Sequence, residues 1–277
     1  MINSNGELLP SNTQITANNR GFLYGDALFE TFKIVNHKIL FFEDHYFRLM
    51  ASMRIVRMQI PMTFTMEYLE EQILKLIESE NYSTSARVRM TVYRNEGGFY
   101  APEDNSVRFI MQAFPLENTL YVVNSVPYEV DLYKDFVVTK QLLSTIKTTN
   151  KMINIIGSVY AKENDLQNCL LINNDKNVVE ALNGNLFMVW NGKLITPPIS
   201  DGCLNGIMRK HLIEIVKKSE MIEVVEESIS PFDLQKADEL FITNVITGIQ
   251  PITKYRKKEY ATDFASQLLA KLNEVVF

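Results

Sequence analysis

The chain has 277 residues, of which 46% are hydrophobic and 22% charged, and its net charge is -5. That length supports one large domain or two modest ones, each with its own apolar core. No Lys/Arg block marks a nucleic-acid or polybasic membrane surface, no apolar run is long enough to span a bilayer, and the polar start Met-Ile-Asn-Ser-Asn-Gly-Glu lacks signal-peptide order, so a cytoplasmic protein acting on small molecules is expected.

In chain order, a turn around Asn19-Arg20-Gly21 leads into an apolar stretch from Ala27 to Val35 and a second one around Ile39 to Phe42. Together they predict a hairpin closed by Asn36-His37. From Asp44 the period changes, because Tyr46, Leu49, Met53 and Val56 fall on one helical face, with Arg48 in the first or second turn. A second helix after Pro61 carries Met66, Leu69, Ile73, Leu76 and Ile77 on one stripe, with acids near its start, where the helix dipole favours them. Ala86, Val88, Met90 and Val92 alternate with Arg87, Arg89, Thr91 and Tyr93, as in a strand with one buried face. After a loop at 95–98 and a strand ending near Ala113, the Pro-containing segment 114–119 is the expected linker. It would divide the chain into a smaller domain, 1–117, and a larger one, 118–277.

The second half opens with strands, and a helix is predicted just after Lys147 with Ile153, Ile156, Val159 and Tyr160 on its apolar side. Hairpins are predicted at 169–180 and, more sharply, at 186–196, where Asn191-Gly192 supplies both positive-φ turn positions. A helix from Asn205-Gly206-Ile207, a strand from Glu239 to Thr243 and a C-terminal helix bearing Phe264, Leu268, Leu269, Leu272 and Val275 complete an α+β pattern. Two cysteines, Cys169 and Cys203, do not make a disulfide framework and are expected to be reduced and buried.

Hydrolytic, zinc and nucleotide signatures are absent, since the three histidines stand far apart and neither Gly-x-x-x-x-Gly-Lys-Ser/Thr nor Gly-x-Gly-x-x-Gly occurs. No metal site is expected. Two segments could receive an anion. At Leu204-Asn-Gly-Ile-Met-Arg209 a glycine opens a helix whose first N–H groups point outward, and at Phe241-Ile-Thr-Asn-Val245 a strand ends in polar donors. Taken singly, each also reads as an ordinary helix cap or strand end. Among the lysines, Lys140, Lys147 and Lys151 compete as candidates for reactive amine.

The ordered segments Arg20-Gly-Phe-Leu-Tyr-Gly-Asp-Ala-Leu-Phe-Glu-Thr31, Glu43-Asp-His-Tyr-Phe-Arg-Leu49, Lys147-Thr-Thr-Asn150, Glu180-Ala-Leu-Asn-Gly-Asn-Leu-Phe187, Leu204-Asn-Gly-Ile207 and Phe241-Ile-Thr-Asn244 resemble the class IV pyridoxal-phosphate enzymes. That family holds branched-chain and D-amino acid aminotransferases and aminodeoxychorismate lyase. The resemblance implies a two-domain α+β fold of type IV, like D-amino acid aminotransferase, with the cofactor in the inter-domain cleft, and a homodimer. It implies pyridoxal 5'-phosphate as cofactor, Lys147 as the Schiff-base lysine and Glu180 against the pyridine nitrogen. Arg48, the backbone of Ile207 and Met208, and Asn244-Val245 would hold the phosphate. Arg94 resembles an arginine of related lyases, and Arg94, Arg87 or Arg89 could serve a substrate carboxylate or simply face solvent, while Phe29 could be a substrate contact or simple core.

Within the family, Phe29-Glu30-Thr31, Met152 and Asn-Gly-Ile-Met-Arg resemble aminodeoxychorismate lyase more than the branched-chain aminotransferases. A transaminase of branched-chain or D-amino acids, or a non-catalytic binder of the cofactor, are the alternatives.

Overall fold

The computed structural model describes residues 1–82, 84–124 and 126–277. These form two compact units, Met1–Thr119 with Lys147–Asn150, and Leu120–Ile146 with Lys151–Phe277.

The first unit contains β1 (Ile2–Ser4), β2 (Glu7–Leu9), α1 (Arg20–Tyr24), β3 (Ala27–Val35), β4 (Lys38–Ile39), α2 (Phe42–Ile55), α3 (Met66–Ser79), β5 (Ser85–Arg94) and β6 (Val107–Pro115). Among the described residues its sheet has the order β2-β1-β6-β5-β3-β4. The predicted hairpin forms between β3 and β4, with Asn36 at φ 48° and His37 at φ 63°. Both left-handed turn residues match the right-handed twist of the strands they join.

Strand alternation then decides what each face does. Leu28, Phe32 and Ile34 of β3, Ala86, Val88, Met90 and Val92 of β5, and Phe109 and Met111 of β6 are all buried. With them lie Leu49 and Met53 of α2 and Leu69, Ile73, Leu76 and Ile77 of α3 from the predicted stripes, and Met50 of α2 beside them. Each of these Val, Leu, Ile, Met and Phe side chains contributes roughly 1.5–3 kcal/mol on leaving water. Thr65 caps α3 by accepting the Tyr68 N–H at 3.2 Å.

The second unit contains β7 (Glu129–Val138), α4 (Met152–Glu163), β8 (Asn168–Asn173), β9 (Val178–Ala181), β10 (Gly184–Trp190), β11 (Lys193–Thr196), α5 (Ile207–Ser219), β12 (Glu223–Glu226), β13 (Glu239–Asn244), β14 (Gly248–Ile252), β15 (Lys254–Tyr255), β16 (Lys258–Glu259) and α6 (Asp263–Val276). Its sheet runs β12-β11-β10-β9-β8-β7-β15-β16, with β13 branching from β10 and carrying β14. The Asn191-Gly192 turn joins β10 to β11, with φ 51° and 70° at its two residues. Leu170, Leu186, Met188, Leu240, Ile242 and Ile252 are among the buried residues of one core.

Two expectations need correction. In α4 the predicted apolar side is right only in part: Ile153 and Tyr160 pack against a core, but Ile156 and Val159 are exposed, and the buried positions are Gly157 and Ala161. Gly157 lies so close to Leu182 that a larger side chain would collide with it, so small residues set this contact. Lys147 was expected in the C-terminal domain, but residues 147–150 belong with the N-terminal unit, for the hydrogen-bonding reason given next.

Candidate active site

Lys147 is fixed by its backbone. The part of β3 not covered by β4 has an open edge, and the segment after Ile146 supplies the missing partner. Phe29 N–H donates to Lys147 O at 2.9 Å, Thr149 N–H donates to Ala27 O at 3.0 Å, and Thr148 bridges Leu28 antiparallel. Asn150 Nδ2 and Thr149 Oγ1 each donate to Gly25 O at 3.1 Å. These bonds satisfy an otherwise orphaned strand edge and hold the lysine in register. Its Nζ lies 4.4 Å from the centroid of the Phe29 ring.

The same ring meets Arg89, whose guanidinium carbon is 3.9 Å from the centroid. Phe29, Thr31 and Lys33 share one face with their cross-strand partners Thr91, Arg89 and Arg87. Burial pushes the Lys33 amine down to about 8. Burial, then the neighbouring Arg87, lowers Arg89 from its ordinary value. Arg87 Nε is buried without a hydrogen-bond partner.

On the opposite face, Glu30 meets α2. Arg48 donates from Nε to Glu30 Oε1 at 2.8 Å and from Nη2 to Oε2 at 2.6 Å, and His45 Nδ1 lies 2.7 Å from Oε2. Burial raises the Glu30 carboxyl, but Arg48 and His45 more than offset it and hold it at about 2. Burial lowers His45 more than Glu30 raises it, which favours a neutral ring donating from Nδ1. The forked pairing with Glu30 fixes the plane of the Arg48 guanidinium. Sequence reasoning singled out Arg48 but missed Glu30 and His45, although both stand inside the quoted motifs. Their partnership joins β3 to a helix, and no local spacing reveals it.

In the second unit, Glu180 is buried on β9 and accepts the Leu204 N–H at 2.9 Å. The following residues turn into α5, whose N-cap Gly206 makes no side-chain cap. The first helical bond of that turn runs from Lys210 N–H to Gly206 O, so the N–H groups of Ile207 and Met208 precede the helix's own bonding. Gly206 is required here, since a Cβ would run into Asn185 Oδ1. Asn185 donates to Leu204 O at 2.8 Å and pairs across the sheet with Thr243, whose Oγ1 is buried and without a partner. Asn244 shapes the next turn, its Oδ1 accepting from Ile246 N–H at 3.0 Å and Thr247 N–H at 2.9 Å. Val245 O accepts from Tyr121 Oη at 2.9 Å.

Arg94, a candidate substrate contact from the resemblance, is engaged within the fold. It is buried, and its guanidinium donates to Asp26 Oδ2 at 3.0 Å, Val56 O at 2.8 Å, Arg57 O at 3.1 Å and Asn105 Oδ1. Arg20 meets the same Asp26 oxygen and gathers the carbonyls of Gly97, Gly98 and Phe99. Tyr24 packs on Arg20 and Tyr100. Cys169 and Cys203 are buried free thiols, with burial pushing them up to about 11 and about 12. Among the described residues no group of three or more His, Cys, Asp or Glu could hold a metal, and no helix is long and apolar enough to cross a membrane.

The sequence pattern of the amino-transferase class IV family matches residues 27–255. The chain belongs to that family. It is therefore a pyridoxal 5'-phosphate-dependent enzyme of the aminotransferase and lyase group. It is 28% identical over 261 residues to a D-alanine aminotransferase of Listeria monocytogenes, covering 92% of this chain and 87% of that one. Over 272 residues it is 27% identical to a Methanocaldococcus jannaschii protein provisionally named a branched-chain-amino-acid aminotransferase, covering 94% and 89%. A solved Legionella pneumophila structure, provisionally named a 4-amino-4-deoxychorismate lyase, matches with a TM-score of 0.85 at 24% identity, covering 95% of this chain and 96% of that one. That likeness carries the two-domain α+β fold.

The residues present suit the cofactor. An uncapped helix start beside an orphaned buried hydroxyl, Thr243 Oγ1, is an anion cradle, and Glu180 is a buried carboxylate of the kind that can face a ring nitrogen.

Proposed function

We propose that this class IV enzyme is a 4-amino-4-deoxychorismate lyase, releasing pyruvate and 4-aminobenzoate, with the Lys147 amine as its reactive group. The observation that carries the role of Lys147 is its pinned backbone at the β3 edge, which fixes where the amine stands over Phe29. Preference for the lyase reaction rests on the Phe29-Glu30-Thr31, Met152 and Asn205-Gly-Ile-Met-Arg209 segments and is supported by the likeness to the Legionella protein.

In this reading Arg48, its plane held by Glu30, and the N–H groups of Ile207 and Met208 bind the cofactor phosphate, together with the Thr243–Val245 strand end. Glu180 holds a proton at the pyridine nitrogen. The bound cofactor supplies an electron sink for the substrate's α carbon. Lys147 would take the proton from that carbon as the C–O bond from the adjacent ring carbon to the enolpyruvyl group breaks, and would pass it to the departing group, which leaves as pyruvate while the ring becomes aromatic; Phe29 walls the amine. The reading extends, as a proposal, to a cytoplasmic two-fold homodimer, and a fully active monomer by light scattering would contradict that.

The test is to incubate cofactor-loaded protein with aminodeoxychorismate, and separately with D-alanine or branched-chain L-amino acids plus 2-oxoglutarate. Release of 4-aminobenzoate and pyruvate, abolished by Lys147→Ala, is expected. Glutamate formation without 4-aminobenzoate would make the enzyme a transaminase, the second reading, which the names of the Listeria and Methanocaldococcus relatives favour.

A further inference from the structure

We infer that Tyr121 is a positioning residue for the cofactor phosphate. It ties the turn after β13 to the last turn of α6, so that phosphate affinity and the anchoring of α6 depend on each other. The inference rests on the reading that the Thr243–Val245 strand end binds that phosphate.

Tyr121 lies in irregular chain, and its neighbours Leu120 and Val122 are exposed while it is buried. Both of its backbone groups are met by one side chain of α6. Tyr121 N–H donates to Asn273 Oδ1 at 3.0 Å, and Asn273 Nδ2 donates to Tyr121 O at 2.8 Å. The amide thus does for this residue what a strand partner would do. From that fixed backbone the side chain reaches the turn, where Tyr121 Oη donates to Val245 O at 2.9 Å. Its ring lies against Gly248, at φ 76°, where a Cβ would stand 2.7 Å from the ring, and 6.1 Å from the Phe277 ring between centroids.

What the hydroxyl holds is a peptide plane. Val245 O and Ile246 N–H belong to one planar unit, so the bond from Tyr121 to the oxygen and the bond from the N–H to Asn244 Oδ1 grip the same plane at its two ends. That plane is next in the chain to the strand end that offers its polar groups to the phosphate. Burial pushes the Tyr121 hydroxyl up, so it keeps its proton and donates throughout the neutral range. Coupling between two places on a protein is reciprocal: if anchoring by α6 favours the phosphate-binding form of the turn, phosphate binding must favour the anchored form of α6. Tyr121→Phe keeps the ring on Gly248 and loses only the hydroxyl, which separates positioning from packing.

The experiment strips the cofactor from the full-length parent, Tyr121→Phe and Asn273→Ala proteins and titrates each with pyridoxal 5'-phosphate and with pyridoxal, which lacks the phosphate, by visible absorbance. Tyr121→Phe should weaken pyridoxal 5'-phosphate by about three- to tenfold, as loss of one hydrogen bond does, and leave pyridoxal unchanged. Asn273→Ala should act in the same direction. Hydrogen exchange adds the reciprocal readout: pyridoxal 5'-phosphate should slow exchange in the 273–277 peptide of the parent, and less so in Tyr121→Phe. An equal fall for both ligands makes Tyr121 merely structural and overturns the inference, as does an unchanged preference in both variants or exchange at 273–277 indifferent to the ligand. A parent that binds the two ligands equally overturns the phosphate-site reading itself, and the inference with it. A parent that prefers pyridoxal 5'-phosphate, with variants that do so equally, leaves that reading standing and removes only the role of Tyr121.

Discussion

The two faces of the β3–β5–β6 sheet are built from alternate residues of the same strands, yet they solve opposite problems. The face under α2 and α3 buries apolar side chains, and its one carboxylate on β3, Glu30, is matched by Arg48 and His45. The other carries Lys33, Arg87 and Arg89, with Arg87 and Arg89 lacking a nearby acid among the described residues. A packed face is complete when its charges are paired within the fold. The charged face is the one on which the Lys147 amine stands over the Phe29 ring, and its two arginines are matched by no acid among the described residues.

The largest expected effect breaks the chemistry at the head of the charged face. Lys147→Ala should lower turnover by roughly 10²–10⁴-fold or more while thermal unfolding changes little, because the backbone bonds to β3 remain. Activity assays paired with a melting curve check this. Next comes Glu30→Ala, which leaves the cation of Arg48 without its buried partner. It should cost about 3–5 kcal/mol by denaturant unfolding and weaken cofactor phosphate binding.

Met90→Ala on the packed face should cost about 2–5 kcal/mol through a cavity, whereas Arg87→Gln on the charged face should stay within about 0.5 kcal/mol or stabilise the fold. A large loss from Arg87→Gln in urea unfolding would mean that the charged face is structural after all.

A last contrast is in pH. With Glu30 near 2 in the fold against an ordinary 4.5, its ion pair contributes fully above about 4.5 and is lost as pH falls toward 2. Lys33 has the opposite window. Its folded value of about 8 lies below the ordinary 10.5, so the unfolded chain binds more protons between them and stability rises with pH across that range. Melting temperatures from pH 8 to 10.5 should show that rise in the parent and less of it in Lys33→Met.

Where short-range chemistry decides structure, the chain was readable in advance. Asn191-Gly192 announced its hairpin, the 3.6-residue stripes of α2 and α3 face the core, and the alternation of 86–93 became β5. The helix after Lys147 was misjudged because apolar residues surround it: Met152, Ile155, Ile156 and Val159 are exposed, and steric room, not hydrophobicity, selected Gly157 and Ala161 for the interior. The engagement of Arg94 with Asp26 and the carbonyls of Val56 and Arg57 could not be read from spacing, because those partners lie far off in the chain. The addition of 147–149 to β3 and the Glu30–Arg48–His45 network join distant or differently folded segments, so periodicity carries no trace of them. Lys147 and Arg48 were singled out by the resemblance alone, and the β3 edge and the Glu30 carboxylate are what hold them in place.

The most direct test of the account is to load the protein with pyridoxal 5'-phosphate, reduce with borohydride and map the modified peptide by mass spectrometry. Lys33 is the stringent internal control, because burial has lowered its amine to about 8 and it lies on the same charged face. The account predicts the pyridoxyl mass on the peptide containing Lys147, at one per chain, and its loss in Lys147→Ala. Modification at Lys33 or Lys151, or labelling that persists in Lys147→Ala, would contradict it.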